Sequence, residues 1–194
     1  MADLQTHNLD LTLPDRAPEL LKEYAEGIDT GSSSFAIYSL VPDMTASQIE
    51  EISNIPQQEY EEYEYPGRLA RPAKPAFDFA GKTLKDVVAA HAAMDKNIIK
   101  PGDGGAAEIA WYPNVFVVLT KRDDLADHGM LLVYAQREHP DGVGRMDRFF
   151  FDPKDMFAVL TDVMVGSHGM DVYKKWRDID GQEFLSIRKT EGRA

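Results

Sequence analysis

The chain has 194 residues, a hydrophobic share of 43% and no cysteine, enough to bury a substantial core with no disulfide to staple it. The missing thiol also excludes thiolate metal sites and a cysteine nucleophile. Asp and Glu number 33 against 21 Lys and Arg, a net charge of −12. That balance argues against broad electrostatic binding to nucleic acid or an anionic membrane, which draws on Lys and Arg.

Residues 1–14 alternate weakly through Leu9, Leu11 and Leu13 and stop at Pro14, the pattern of an arm or short edge strand. The stretch up to His7 has neither the basic start nor the apolar core of a secretory signal. A short helix is expected from Pro18 through Leu20, Leu21 and Tyr24 to a stop at Gly27. After a turn cluster at 29–34, residues 35–41 alternate as a strand closed by Pro42. Thr45 and Gln48 have capping-box spacing ahead of Ile49 and Ile52, so a second short helix follows.

Residues 57–65 hold four glutamates and three tyrosines. The prolines at 66, 72 and 75 make 66–75 an extended surface segment, because proline fits neither a helix interior nor a central strand. Residues 83–97 read as a helix with Leu84, Val87, Val88, His91, Met94 and Ile98 along one face. Strands are expected at 115–120, 130–136 and 146–151, the last two joined by a hairpin turn at 139–142. Their apolar runs are strand-sized and fall short of the roughly 20 residues of a membrane helix. A helix over 153–165 stops at Gly166, another spans 171–177, and a turn at 178–181 leads into 184–187. This order predicts one α+β domain over 1–194 with a mostly antiparallel sheet and helices packed on one face. A cytoplasmic location is expected.

From residue 115 to 184 the chain resembles a family of small acidic, mostly bacterial proteins known only as a domain of unknown function. The likeness rests on Phe116-Val-Val-Leu119, Leu131-Leu-Val133, Arg148-Phe149 with Pro153 shortly after, and 178–184. It implies a compact α+β domain and supplies no activity, cofactor or catalytic residue.

Four strings invite a chemical reading. Residues 76–83 satisfy a relaxed phosphate-loop pattern with Lys82 and Thr83, and Asp152 after 149–151 could serve as its acid. Phe77 and Phe79 argue against it, since such a loop needs small residues to wrap phosphate; Thr83 and Asp86 explain the string as a helix cap. His91 with Asp95 one turn on has the spacing of an acid–base pair, and equally of a histidine at the edge of a core. The five histidines are scattered, so a zinc site would have to assemble from distant residues; no metal residue is singled out and no cofactor is expected. Residues 178–181 fail as a calcium loop, because Trp176 and Ile187 would occupy ligand positions. Ser167, His168 and Asp171 are explained by a helix stop and a cap.

The remaining candidate is Glu59, Tyr60, Glu61, Glu62, Tyr63, Glu64 and Tyr65. Alternating tyrosine with glutamate gives an anionic surface with the aromatic anchors that interfaces favour. It could meet a basic protein, fold back on Arg68, Arg71 and Lys74, or be a solvated loop or edge strand. The expectation is therefore an acidic binding protein, as an inhibitor, immunity-type factor or adaptor would be, engaging a basic partner. Homo-oligomers are compatible with it. The alternative is a small cofactor-poor hydrolase, lyase or isomerase using His91 and Asp95.

Overall fold

The computed structural model describes residues 9–18, 28–98, 107–135, 144–165 and 173. Its centre is a five-stranded sheet in the order β3 (Ala70–Pro72), β2 (Ser34–Ser39), β5 (Trp111–Leu119), β6 (Met130–Ala135) and β7 (Met146–Phe150). Strands β3, β2 and β5 run parallel, while β5–β6 and β6–β7 form the longer, antiparallel half. A second, two-stranded parallel sheet pairs β1 (Ile28–Asp29) with β4 (Ala107–Glu108). The helices are α1 (Ala46–Ser53), α2 (Gln57–Glu62), α3 (Leu84–Ala93) and α4 (Met156–Val165), the last preceded by a 3₁₀ turn at Pro153–Asp155. The α+β class holds.

The pleat sends alternate residues to two separate cores. Phe35, Ile37, Val117, Leu132 and Phe149 meet Ile49 and Ile52 of α1, Tyr60 of α2, and Met156, Val159 and Leu160 of α4. Tyr38, Phe116, Val118, Leu131 and Val133 meet Leu84, Val87, Val88 and Ala92 of α3. Three helices thus share one face and α3 occupies the other, so the expected packing of all helices on one face is not what forms. Topology explains the split. The connection from β2 to β3 leaves in one direction and that from β3 to β5 returns past β2 in the other. Right-handed crossovers in opposite directions need opposite faces.

Local chemistry sets the helix ends. Thr45 with Gln48 and Thr83 with Asp86 both form complete capping boxes, each hydroxyl accepting the N3 amide while the N3 side chain accepts the cap amide. Gly81, at φ +72°, makes the turn that delivers Lys82 and Thr83 to α3. Residues 9–14 carry no strand; Leu9, Leu11 and Leu13 lie against the α3-side core, and the Asp10 carbonyl accepts the Leu84 amide. The proline-rich segment contains the edge strand β3, with Leu69, Ala70 and Ala73 buried. Pro72 sits where its missing N–H costs no ladder bond.

The expected helix from Pro18 to Gly27, apart from Pro18 itself, the 139–142 turn and the expected elements from 171 onward, apart from Tyr173, lie outside the described residues. Tyr173 is described: it stacks on Phe149 at 5.8 Å, and its hydroxyl donates to Asp162.

Candidate functional site

His91 sits on α3 with its side chain wholly buried. Its Nε2 lies 3.1 Å from the carbonyl oxygens of both Tyr112 and Pro113. Two acceptors there require the proton on Nε2, which leaves Nδ1 to accept the Tyr38 hydroxyl at 3.0 Å. These carbonyls belong to an irregularity in β5, where the register with β2 shifts between Ser34 and Ala36. Pro113 brings no N–H to that ladder, and the imidazole satisfies the carbonyls that the shift leaves over. Burial, with the neighbouring Lys96 charge, holds the His91 pKa well below its ordinary value, so the ring is neutral.

The expected pairing of His91 with Asp95 is not formed. Spacing of four brings side chains together only if the helix continues, and α3 ends at Ala93 with Met94 extended. Lys96, 1% exposed, turns back and donates its ammonium to the carbonyls of His91 and Met94, closing the helix end. Burial lowers the Lys96 pKa to about 8. Asp95 stands exposed, accepting the Asn97 amide at 2.8 Å. The acid–base reading therefore loses its geometry.

The phosphate-loop string resolves into the Thr83 cap. Phe77 and Phe79 are partly buried against the cores, Phe79 meeting Tyr38 edge-on at 5.6 Å. Asp152 caps the 3₁₀ turn, accepting the Lys154 amide. Among the described residues no cluster of three His, Asp or Glu could hold a metal ion. His128 is hydrogen-bonded to Asp127 at the surface. The strings at 167–171 and 178–181 lie outside the described residues.

The glutamate–tyrosine stretch forms α2 and the turn after it, neither a loop throughout nor a strand. Tyr60 is its inward anchor, fully buried and donating its hydroxyl to the Pro66 carbonyl at 3.3 Å. Glu64 takes a left-handed φ of 58°, and the turn brings Tyr65 onto Tyr60 with centroids 5.0 Å apart. Tyr63 stacks on Phe157 of α4 at 5.4 Å and remains 63% exposed. Glu61 and Glu62 accept side-chain amides from Gln57 and Gln58, which leaves both charges in place. Glu59 is half-buried, and Glu61, Glu62 and Glu64 are exposed.

The carboxylates of this stretch do not fold back on the adjacent cations. Arg68 donates instead to Glu50, Asn54 and Ser53. Arg71 lies over Trp111, its carbon 4.0 Å from the ring centroid. Both line a cleft of about 1120 Å³ along the β3 edge, which the linear sequence did not reveal because its walls come from α1, β3, 95–97 and the start of β5. Comparison with protein-family models, with curated proteins and with solved structures returned no match to this chain. No described helix is long and apolar enough to cross a membrane.

Proposed function

We propose that this protein is a binding protein that engages a basic protein partner through the face formed by α2 and the following turn. One observation carries the reading: Tyr63 is held rigid by stacking on Phe157 and yet is 63% exposed, beside the exposed carboxylates of Glu61, Glu62 and Glu64. A large aromatic ring already fixed in the free protein loses little entropy on binding, the condition under which tyrosine becomes an interface anchor. Surrounding carboxylates steer a basic partner and set its orientation. The net charge of −12 extends that field over the molecule. The sequence resemblance over 115–184 supplies no activity and lies outside this face.

The test compares affinities for the basic protein retained from an extract of the source cells. Tyr63→Ala weakens it about thirtyfold or more, since loss of an anchor costs about 2 kcal/mol or more. Glu61→Lys/Glu62→Lys/Glu64→Lys slows association and flattens its salt dependence. Both variants keep the wild-type unfolding free energy within about 1 kcal/mol, because the altered side chains are surface ones. Unchanged affinity and rates in both variants overturn the assignment of this face.

A further inference from the structure

We propose that the cleft along β3 binds a small organic anion with a single acidic group, its carboxylate or phosphate received by Arg71 and Lys74 and its flat or apolar body lodged among Pro72, Pro75 and Phe77. The observation that points there is an under-used guanidinium. Arg71 is fixed by the Trp111 ring at 4.0 Å and by one hydrogen bond to the Ala110 carbonyl at 2.9 Å. Its Nε is buried without a partner, and its Nη1 makes no hydrogen bond among the described residues. Arginine carries five N–H donors, and burying unsatisfied ones is costly. Burial, then Arg68, lowers the Arg71 pKa, a cost that an anion in the cleft offsets.

The rest of the lining fits the same ligand. Lys74 is exposed at the cleft and has no ion-pair partner among the described residues. Ala46 and Ser47, the first two residues of α1, form another part of the wall, and no acid stands in that first turn. The positive end of the helix therefore adds to the two side chains. Two carboxylates also line the cleft. Glu50 is neutralised by Arg68, and Asp95 accepts the Asn97 amide while keeping its charge. Asp95 limits the total charge the cleft tolerates, which favours a ligand with one acidic group over a polyphosphate. The volume accommodates a ligand of drug size. The site is distinct from the α2 face and independent of it.

Calorimetric titration with benzoate, phenyl phosphate, inorganic phosphate and benzylamine tests the proposal. Benzoate or phenyl phosphate is expected to bind with a Kd below about 1 mM, more tightly than inorganic phosphate, with benzylamine weaker by tenfold or more. Preference between the two organic anions tells carboxylate from phosphate. Arg71→Met weakens the bound anion at least tenfold. Ser47→Glu does the same by placing a carboxylate at the wall, and an acid in the first turn leaves α1 as stable as before, so this variant decides if Arg71→Met unfolds. Neither organic anion binding below about 10 mM, benzylamine binding as tightly as the anions, or an unchanged Kd in Ser47→Glu overturns the site.

Discussion

His91 joins three parts of the molecule through one ring: α3 that carries it, β2 through Tyr38, and the irregular part of β5 through the Tyr112 and Pro113 carbonyls. Replacing it with Phe fills the volume but leaves the buried Tyr38 hydroxyl only the Met94 sulfur as acceptor and takes a donor from the Tyr112 and Pro113 carbonyls, so a loss of about 2–4 kcal/mol is expected in urea unfolding. The pH dependence follows from the direction of its shift. With the folded pKa far below 6.5, the unfolded chain binds a proton that the folded one refuses. Stability from this group is therefore complete above about pH 6.5 and falls as pH drops below it. Wild-type protein should lose more stability between pH 7.5 and pH 5 than His91→Phe does; equal losses would show that the imidazole is not buried neutral. Lys96 acts in the alkaline range. Its folded pKa of about 8 against 10.5 makes the unfolded chain the stronger proton binder between those values, so this group's contribution rises with pH there.

At the scale of elements, the helix starts were legible in the sequence because their chemistry is local. Thr45 with Gln48 and Thr83 with Asp86 need only a spacing of three, and both boxes are present. Thr83→Ala should cost about 1 kcal/mol, the usual worth of an N-cap. Lys82→Ala should leave stability within about 0.5 kcal/mol, as expected of an exposed residue in a turn. A nucleotide-dependent rise in melting temperature that Lys82→Ala abolishes would restore the phosphate-loop reading. The end of α3 was illegible for the complementary reason. The apolar spacing of Met94 and Ile98 continues past Ala93, and what stops the helix is a lysine three residues on that reaches back to its carbonyls. The pairing of His91 with Asp95 failed with it. The glutamate–tyrosine stretch hid its helix because a single buried residue, Tyr60, fixes it, too few for a periodicity to emerge.

Across the whole molecule, the strands β5 and β6 carried a signal in their continuity. Val115 to Leu119 and Met130 to Ala135 are apolar without alternation, the mark of strands buried on both faces. Read that way, they require a helix on each side, and α3 supplies the second cover. The cleft was beyond linear reading. Arg71 of β3 and Trp111 of β5 meet across β2 only once the β3–β2–β5 order is set. The two surfaces that result differ in sign. The α2 face offers carboxylates around Tyr63, and the β3 edge gathers Arg68, Arg71 and Lys74 in a protein of net charge −12. A basic macromolecule suits the first and a small anion the second.

The most direct measurement is native mass spectrometry of the chain purified gently from its own source, beside the Glu61→Lys/Glu62→Lys/Glu64→Lys variant prepared the same way. The account predicts a stoichiometric complex between the wild-type chain and a basic protein, lost in the charge-reversed variant. A wild-type chain free of any protein partner, or one complex of equal abundance in both samples, would contradict it.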